Sequence, residues 1–273
     1  MHEYYETNKR RWNELVKLHA QSAEYDLENF LKGKTSLHRV ELEALGNVTG
    51  KSLLHLQCHF GLDTISWSRL GAKATGVDFS ETGIELAREL AKRVGMDTQF
   101  ICCNLYDLPQ VLDVKFDIVF TSFGVLCWLG DIEEWGRIVA QYLKPRGTFL
   151  LVESHPTFWV FDNDHPGELK IKYPYWHNPE PYNWEAEGSY TNQEMKLENT
   201  QTYEWNHTVS DVLNALIDAG LSITRVEEFP HLPWKPIPFA YKEKDGEWHL
   251  EGDLLPLCWS VKATKFPRIL NSD

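Results

Sequence analysis

The chain has 273 residues, 42% of them hydrophobic and 25% charged, and carries a formal net charge of −13 at neutral pH. That length and balance support a sizeable core, in one large domain or in a domain with a substantial insert. The acidic excess argues against nucleic acid, whose affinity comes from phosphate neutralisation; the absence of a signal-like start and of any bilayer-length apolar run points to a cytoplasmic protein without membrane association, acting on something small.

The first fifty residues read as a separate helical piece. Trp12, Leu15, Val16 and His19 follow i, i+3, i+4, i+7 spacing, so "NKRRWNELVKLHA" predicts an amphipathic helix packed on the body. Its Lys9-Arg10-Arg11 run is too small for a polyanion site and reads as a solvated helix face. A second helix is expected from Leu37 to Leu45.

From residue 51 short apolar runs alternate with helical stretches. The expected strands are Ser52–Cys58, Lys73–Asp78, Thr98–Cys103, Phe116–Thr121 and Thr148–Glu153, of the kind buried on both faces of a parallel sheet. Helices are expected over Leu62–Leu70, Glu81–Val94 and Ile132–Leu143. Ser80 caps the second of these, and Pro145 and Gly147 in "LKPRG" stop the third. The texture then changes: residues 154–205 are rich in aromatics and prolines with little periodicity, as in "YPYWHNPEPYNW". Regular elements resume with a helix at Ser210–Ala219, a strand at Leu221–Phe229 and a last strand in "LLPLCWSVKAT", with a loop or hairpin between the two strands. Such alternation implies a doubly wound α/β sheet that binds ligands at the carboxyl ends of its strands. The cysteines Cys58, Cys102, Cys103, Cys127 and Cys258 show neither paired nor zinc-type spacing and read as reduced thiols.

The first strand delivers the chain to "LLHLQCHFG", residues 53–61. A dinucleotide fingerprint would place glycines at 57, 59 and 62, where Gln, His and Leu stand, and their side chains obstruct a pyrophosphate. The frame G-x-G-x-G fits positions 57, 59 and 61, with the last glycine kept. Here the chain resembles the class I S-adenosylmethionine-dependent methyltransferases. "LLHLQCHFG" stands where that family has V-L-D-L-G-C-G-x-G, and "ATGVDFSETGIELAR" matches the second strand, its acidic end and the next helix. "CNLYDLP", "FDIVFTSFGVLCWL" and "YLKPRGTFLLVE" follow at the third, fourth and fifth strands. The resemblance is close over residues 51–153 and looser over 206–266.

The resemblance implies a Rossmann-like seven-stranded sheet, mostly parallel with the last strand antiparallel. It divides the chain into an N-terminal helical lid (1–50), a methyltransferase core (51–153 and 206–266) and a probable-cap insert (154–205) that shapes the acceptor pocket. It implies S-adenosyl-L-methionine as cofactor, released as S-adenosyl-L-homocysteine, and a cofactor site built from His55, Gln57, Cys58, His59 and Gly61 in the first loop. Asp78, seventeen residues after Gly61, would accept the ribose hydroxyls, with a helix-start or turn role as its alternative. Phe79 would flank the adenine, Asn104 and the Leu105 amide would read it, and Thr121 ends the fourth strand. Tyr4, Tyr5 and Trp12 would fold over the cofactor, or simply pack in the core. His55 and His59 also have bland readings, as a satisfied buried histidine and an outward-pointing turn residue.

Methyl transfer from a sulfonium is an in-line displacement in which alignment supplies much of the rate. A base matters only for a hydroxyl or protonated amine. His155, directly after the fifth strand, and His207, before the helix at Ser210, are the candidate bases, each with a structural capping or core role as its alternative. The fourth-strand loop reads "TSFG" rather than [DN]-P-P-[YF], which disfavours adenine or amide nitrogen as the acceptor. "DNDH" at 162–165 is read as a turn rather than a metal site, and no metal is expected. The expected activity is methyl transfer to a small-molecule acceptor. The alternative is a non-catalytic protein holding the same nucleoside, and the insert's aromatics could instead form its own core or a homodimer contact.

Overall fold

The first helix, α1 (His2–His19), leads into α2 (Leu27–Leu31) and α3 (Arg39–Leu45). An alternating core follows: β1 (Ser52–Leu56), α4 (Leu62–Arg69), β2 (Lys73–Asp78), α5 (Glu81–Arg93), β3 (Gln99–Cys102), α6 (Leu108–Val111), β4 (Phe116–Thr121), α7 (Ile132–Tyr142) and β5 (Leu143–Ser154). After the insert come α8 (Val209–Asp218), β6 (Ser222–Phe229) and β7 (Cys258–Thr264). The structure, a computed structural model, describes residues 1–163, 165–189, 191, 196–244 and 246–266. Among these residues no helix is long and apolar enough to cross a membrane.

The seven strands form one sheet in the order β3-β2-β1-β4-β5-β7-β6. Neighbours from β3 to β5 pair in parallel, whereas β7 runs antiparallel to both β5 and β6. The apolar runs of β1 and β4 explain their central place: Leu53, Leu54, Leu56, Val119 and Phe120 are wholly buried, which only a sheet covered on both faces permits. One face packs Trp135, Ile138, Val139, Val212 and Leu216 of α7 and α8 against Leu54, Leu56, Phe149 and Val261. The other receives Leu37, Val40, Leu45 and Val48 against Leu53, Phe120, Leu150 and Val152. Residues 37–48 therefore belong to the core layers, and within the first fifty residues α1 is the helix that reaches the insert and α5.

The expected bounds of β2 and β4 coincide with those observed, while β5 begins at Leu143 rather than Thr148. The helix stop at "LKPRG" passes straight into the strand, and Arg146 rather than Gly147 takes the left-handed conformation, at φ 65°, with its N–H donating to Lys265 O at 2.6 Å. Gly147 is needed for closeness: a Cβ there would sit 2.9 Å from Lys144 O. The connection between β6 and β7 is more regular than a plain hairpin, since His231–Leu232, Trp248–His249 and Tyr241–Lys242 form a small antiparallel sheet.

The insert carries a second hairpin, Tyr182–Glu185 with Gln201–Glu204, and α1 is clamped to it. Asn8 donates to Tyr203 O at 2.7 Å and accepts from Tyr203 N at 2.8 Å, imitating a strand partner. The reading of Arg11 as solvated is corrected here: it is buried, and its guanidinium donates to Ala186 O, Asn199 O and Gly188 O at 2.8–2.9 Å. A planar fork with five donors can satisfy three carbonyls at once, which an exposed lysine-like role would not require. Of the 162–165 turn, Asp164 lies outside the described residues, and Asp162 holds Lys172 Nζ at 3.1 Å.

Candidate active site

The turn after β1 keeps the backbone of a glycine loop without its glycines. Gln57, His59 and Gly61 have φ of 57°, 52° and 79°, so alternate residues are left-handed. For a residue with a Cβ that conformation costs roughly 1–2 kcal/mol, and both side chains are engaged in return. Gln57 Nε2 donates to Val125 O at 3.0 Å, tying the β1 loop to the loop after β4. His59 N donates to Asp78 Oδ2 at 2.8 Å. The His59 imidazole turns toward α1, with Nε2 3.0 Å from His19 Nδ1, and packs edge-on to Trp12 with ring centroids 5.1 Å apart. At Gly61 no substitute is open: an added Cβ would lie 2.6 Å from Phe100 and 2.9 Å from Ala87.

Asp78 sits across from this turn at the end of β2. One carboxylate oxygen takes the His59 N–H and the other takes the Ser80 N–H at 2.9 Å. A carboxylate has about four acceptor positions, so roughly two remain for a ligand's hydroxyls. Burial pushes its pKa up to about 6, and the backbone N–H bonds of Ser80, His59 and Phe79 work against that rise. Asn13 fastens α1 above the start of α5, accepting from Ser80 Oγ at 2.7 Å and donating to Glu81 Oε2 at 2.8 Å. No sequence signal marked Asn13, because its partners lie 67–69 residues away.

The remaining expected residues fall into distinct positions. Cys58 is buried beneath Gly76, where a Cβ would meet its sulfur at 2.8 Å, and its amide donates to Val77 O. His55 is buried in β1 with both nitrogens occupied, by Thr64 Oγ1 at 2.9 Å and Ser122 Oγ at 3.0 Å; burial lowers its pKa to about 3, so the ring is neutral. Phe79 is half-buried after β2. Asn104 is half-buried and spends its amide oxygen capping a short helical turn, accepting from Tyr106 N at 3.0 Å, while Leu105 is buried in the core. Tyr5 reaches the end of α1's track, accepting from Gly130 N at 3.2 Å beside Tyr106 and Trp205. Trp12 stands edge-on between His59 and Trp128. Thr121 closes β4, wholly buried.

Two of these groups make an apt seat for the polar end of a ligand. Gln57 Oε1 and Thr121 Oγ1 are buried without hydrogen-bond partners, on the neighbouring strands β1 and β4. Unpaired buried polar atoms cost free energy, so they mark places where a ligand's donor would be welcome. An amino-acid zwitterion supplies such donors, and a ribose supplies the hydroxyls that Asp78 can accept.

The two candidate bases part company. His155 is a cap: its Nδ1 accepts from Thr157 N at 3.2 Å and lies 2.7 Å from Thr157 Oγ1. Its Nε2 lies 2.9 Å from Glu228 Oε1, near enough for an ion pair though misaligned for a hydrogen bond. His207 instead lines a narrow recess beside the β4 loop, together with Glu153, Ser154, Trp159, Trp205 and Trp259. Glu153 organises that loop. Its carboxylate takes the N–H groups of Gly124 and Ser154 on one oxygen and of Val125 and Leu126 on the other, at 2.6–3.2 Å. The sequence shows Glu153 only as an acid closing an apolar run. A more open depression, at Lys73, Thr75, Met96 and Gln99, lies at the amino ends of β2 and β3 and faces none of these groups.

Residues 54–151 match the family described as methyltransferase domain. An uncharacterized methyltransferase of Bacillus subtilis is 24% identical over 156 residues, 56% of this chain and 59% of its own. A ubiquinone biosynthesis O-methyltransferase of Idiomarina loihiensis is 28% identical over 158 residues, covering 50% of this chain and 65% of that one. The matched region thus spans less than two thirds of these relatives' length. Among solved structures, an S-adenosylmethionine dependent methyltransferase of Mesorhizobium loti superposes with a TM-score of 0.56 at 22% identity, covering 86% of this chain and 99% of that one. What is shared at that identity is the fold.

Proposed function

We propose that this chain, whose residues 54–151 form a class I S-adenosylmethionine-dependent methyltransferase domain, binds S-adenosylmethionine over the β1 and β2 ends and transfers its methyl group to a small molecule. The observation that carries the reading is the left-handed run at Gln57, His59 and Gly61 facing the Asp78 carboxylate, since the glycine-loop backbone persists where two of its three glycines do not. The cofactor's sulfonium is already a strong electrophile, so the protein's own part is to orient, desolvate and accept a proton where one must leave. Asp78 would hold the ribose, and Gln57 Oε1 with Thr121 Oγ1 would meet the amino-acid end. The aromatic recess at the β4 and β5 ends would take the acceptor, consistent with the clamp that joins α1 to the insert above it. The methyltransferase names of the relatives support the activity, and the O-methyltransferase among them supports a small acceptor. A cytoplasmic setting is part of this reading.

Calorimetric titration with S-adenosylmethionine and S-adenosylhomocysteine, followed by methyl-label transfer into a metabolite extract, tests it. Saturable binding and a labelled metabolite are expected. Absence of binding removes the reading, and binding without any labelled acceptor favours a nucleoside-holding protein instead.

A further inference from the structure

Two orphaned polar atoms stand at the wall of the aromatic recess. His207 Nε2 lies 2.7 Å from Leu129 O. A carbonyl only accepts, so Nε2 carries the hydrogen and the neutral ring has its lone pair on Nδ1. That Nδ1 is buried without a partner, as is the Trp259 indole Nε1–H. The residue stacked on His207, His177, does not relieve it: the rings lie parallel at 5.0 Å, and His177 Nδ1 is 2.8 Å from Asn206 O. The recess thus lacks one donor and one acceptor.

Resting on the methyltransferase reading above, we propose that this recess takes a hydroxyl group on a flat aromatic ring, held between the Trp259 N–H and His207 Nδ1, and that His207 receives its proton. A hydroxyl both donates and accepts, so it completes both orphans. An ammonium only donates and would leave the Trp259 N–H facing another donor; a carboxylate only accepts and would leave Nδ1 facing another acceptor. The walls of Trp159, Trp205 and Trp259 suit a planar apolar body. Burial holds the His207 pKa at about 4, with the Leu129 carbonyl and Asp211 opposing that fall and His177 adding to it. So weak a base matches an acidic hydroxyl such as a phenol better than an aliphatic alcohol. In the step itself the phenol oxygen bonds to the sulfonium methyl carbon as the carbon–sulfur bond breaks, its electron pair staying on sulfur as a neutral thioether. The hydroxyl proton passes to Nδ1, so the positive charge moves from sulfur to an imidazolium that still donates to Leu129.

The test uses the full chain loaded with S-adenosylhomocysteine and titrated with phenol, toluene and benzylamine. Phenol is expected to bind at least about tenfold more tightly than the other two and to move the ¹⁵N resonance of His207 Nδ1. With methyl-labelled S-adenosylmethionine, catechol and phenol should be labelled on oxygen. His207→Gln keeps a donor for Leu129; it should retain phenol affinity while kcat falls about a hundredfold. Trp259→Phe keeps the ring shape and should erase the preference for phenol over toluene. Cofactor-loaded protein that binds phenol no better than toluene, or His207→Gln turning over at the parent rate, overturns the assignment while leaving the methyltransferase reading in place. Failure to bind S-adenosylhomocysteine at all defeats both.

Discussion

The buried Asp78 carboxylate should make cofactor affinity depend on pH in a way that isolates this one residue. Its pKa in the free protein is raised from 3.8 to about 6, burial being the main cause. Ribose hydroxyls donate to the ionised form, so binding favours ionisation and lowers that pKa. Affinity must then fall as pH drops through about 6, with a limiting slope of one proton. At about pH 7.5 the group is nearly all ionised, and at about pH 5 roughly a tenth is, so affinity for S-adenosylhomocysteine should weaken about tenfold between them. The adjoining histidines do not confuse the window: burial lowers His19 to about 4 and drives His59 well below its usual value, so both rings stay neutral throughout. The stability of the free protein moves oppositely. A raised carboxyl pKa contributes stability that is complete below 3.8 and lost as pH rises through about 6. Asp78→Asn should weaken binding at neutral pH by about 2–3 kcal/mol, for the charge-assisted bonds lost, and flatten the profile. Calorimetry across that range decides: an affinity in the parent protein that does not change, or a variant with the same slope, would falsify the placement of Asp78 against the ribose.

Three further outcomes follow from contacts already described. At Gln57 the usual order of glycine and alanine should hold in its loop form: Gln57→Ala loses the Val125 bond and keeps the left-handed strain, so it should unfold below Gln57→Gly by roughly 0.5–1 kcal/mol, or about 1–4 °C in a thermal melt; an alanine variant at or above the glycine one contradicts the φ of 57°. Arg11→Ala strips three carbonyls of their donor and should loosen the insert by about 2–4 kcal/mol. Hydrogen exchange at Ala186, Leu197 and Tyr203 should accelerate while that of β4 holds steady, and uniform protection would mean the clamp is idle. Glu153→Gln turns an amide N–H toward one of four peptide donors; a melting point lowered by about 5 °C is expected for a loss near 2 kcal/mol, and an unshifted melt contradicts it.

The sheet was legible because its physics is local. Strands buried on both faces read as unbroken apolar runs, and Lys73–Asp78 and Phe116–Thr121 fall where the pattern puts them. Ser80 as a cap was equally plain, its hydroxyl accepting from Gly83 N at 3.0 Å. The candidate site was legible in position but not in contact. Gln57 and His59 look like lost function under the rule that left-handed backbone wants glycine, because the bonds that hold them there run to Val125, Asp78 and His19. Arg11 looked solvated because all three acceptors of its guanidinium lie 175–188 residues further on. His155 and His207 are indistinguishable by spacing; only tertiary partners separate a capped imidazole from one with an unpaired nitrogen.

The replaced glycines change what the loop can transmit. A glycine at 57 or 59 supplies backbone and nothing else, so a loop built that way is fastened only through its peptide groups. Here the same backbone carries two side chains aimed at different neighbours. Gln57 reaches the β4 loop that Glu153 pins at the mouth of the aromatic recess, and His59 reaches α1 through His19 and Trp12. Alpha-helix and recess are in turn joined through the insert, since Arg11 holds the hairpin whose far strand leads into Trp205. The contacts therefore close a ring: loop to recess, recess to insert, insert to helix, helix to loop. In such a ring the strain of roughly 1–2 kcal/mol at each left-handed residue is opposed at every joint, and breaking any one joint releases part of it. That is why Gln57→Gly, although it relieves strain locally, should be felt at both the recess and α1.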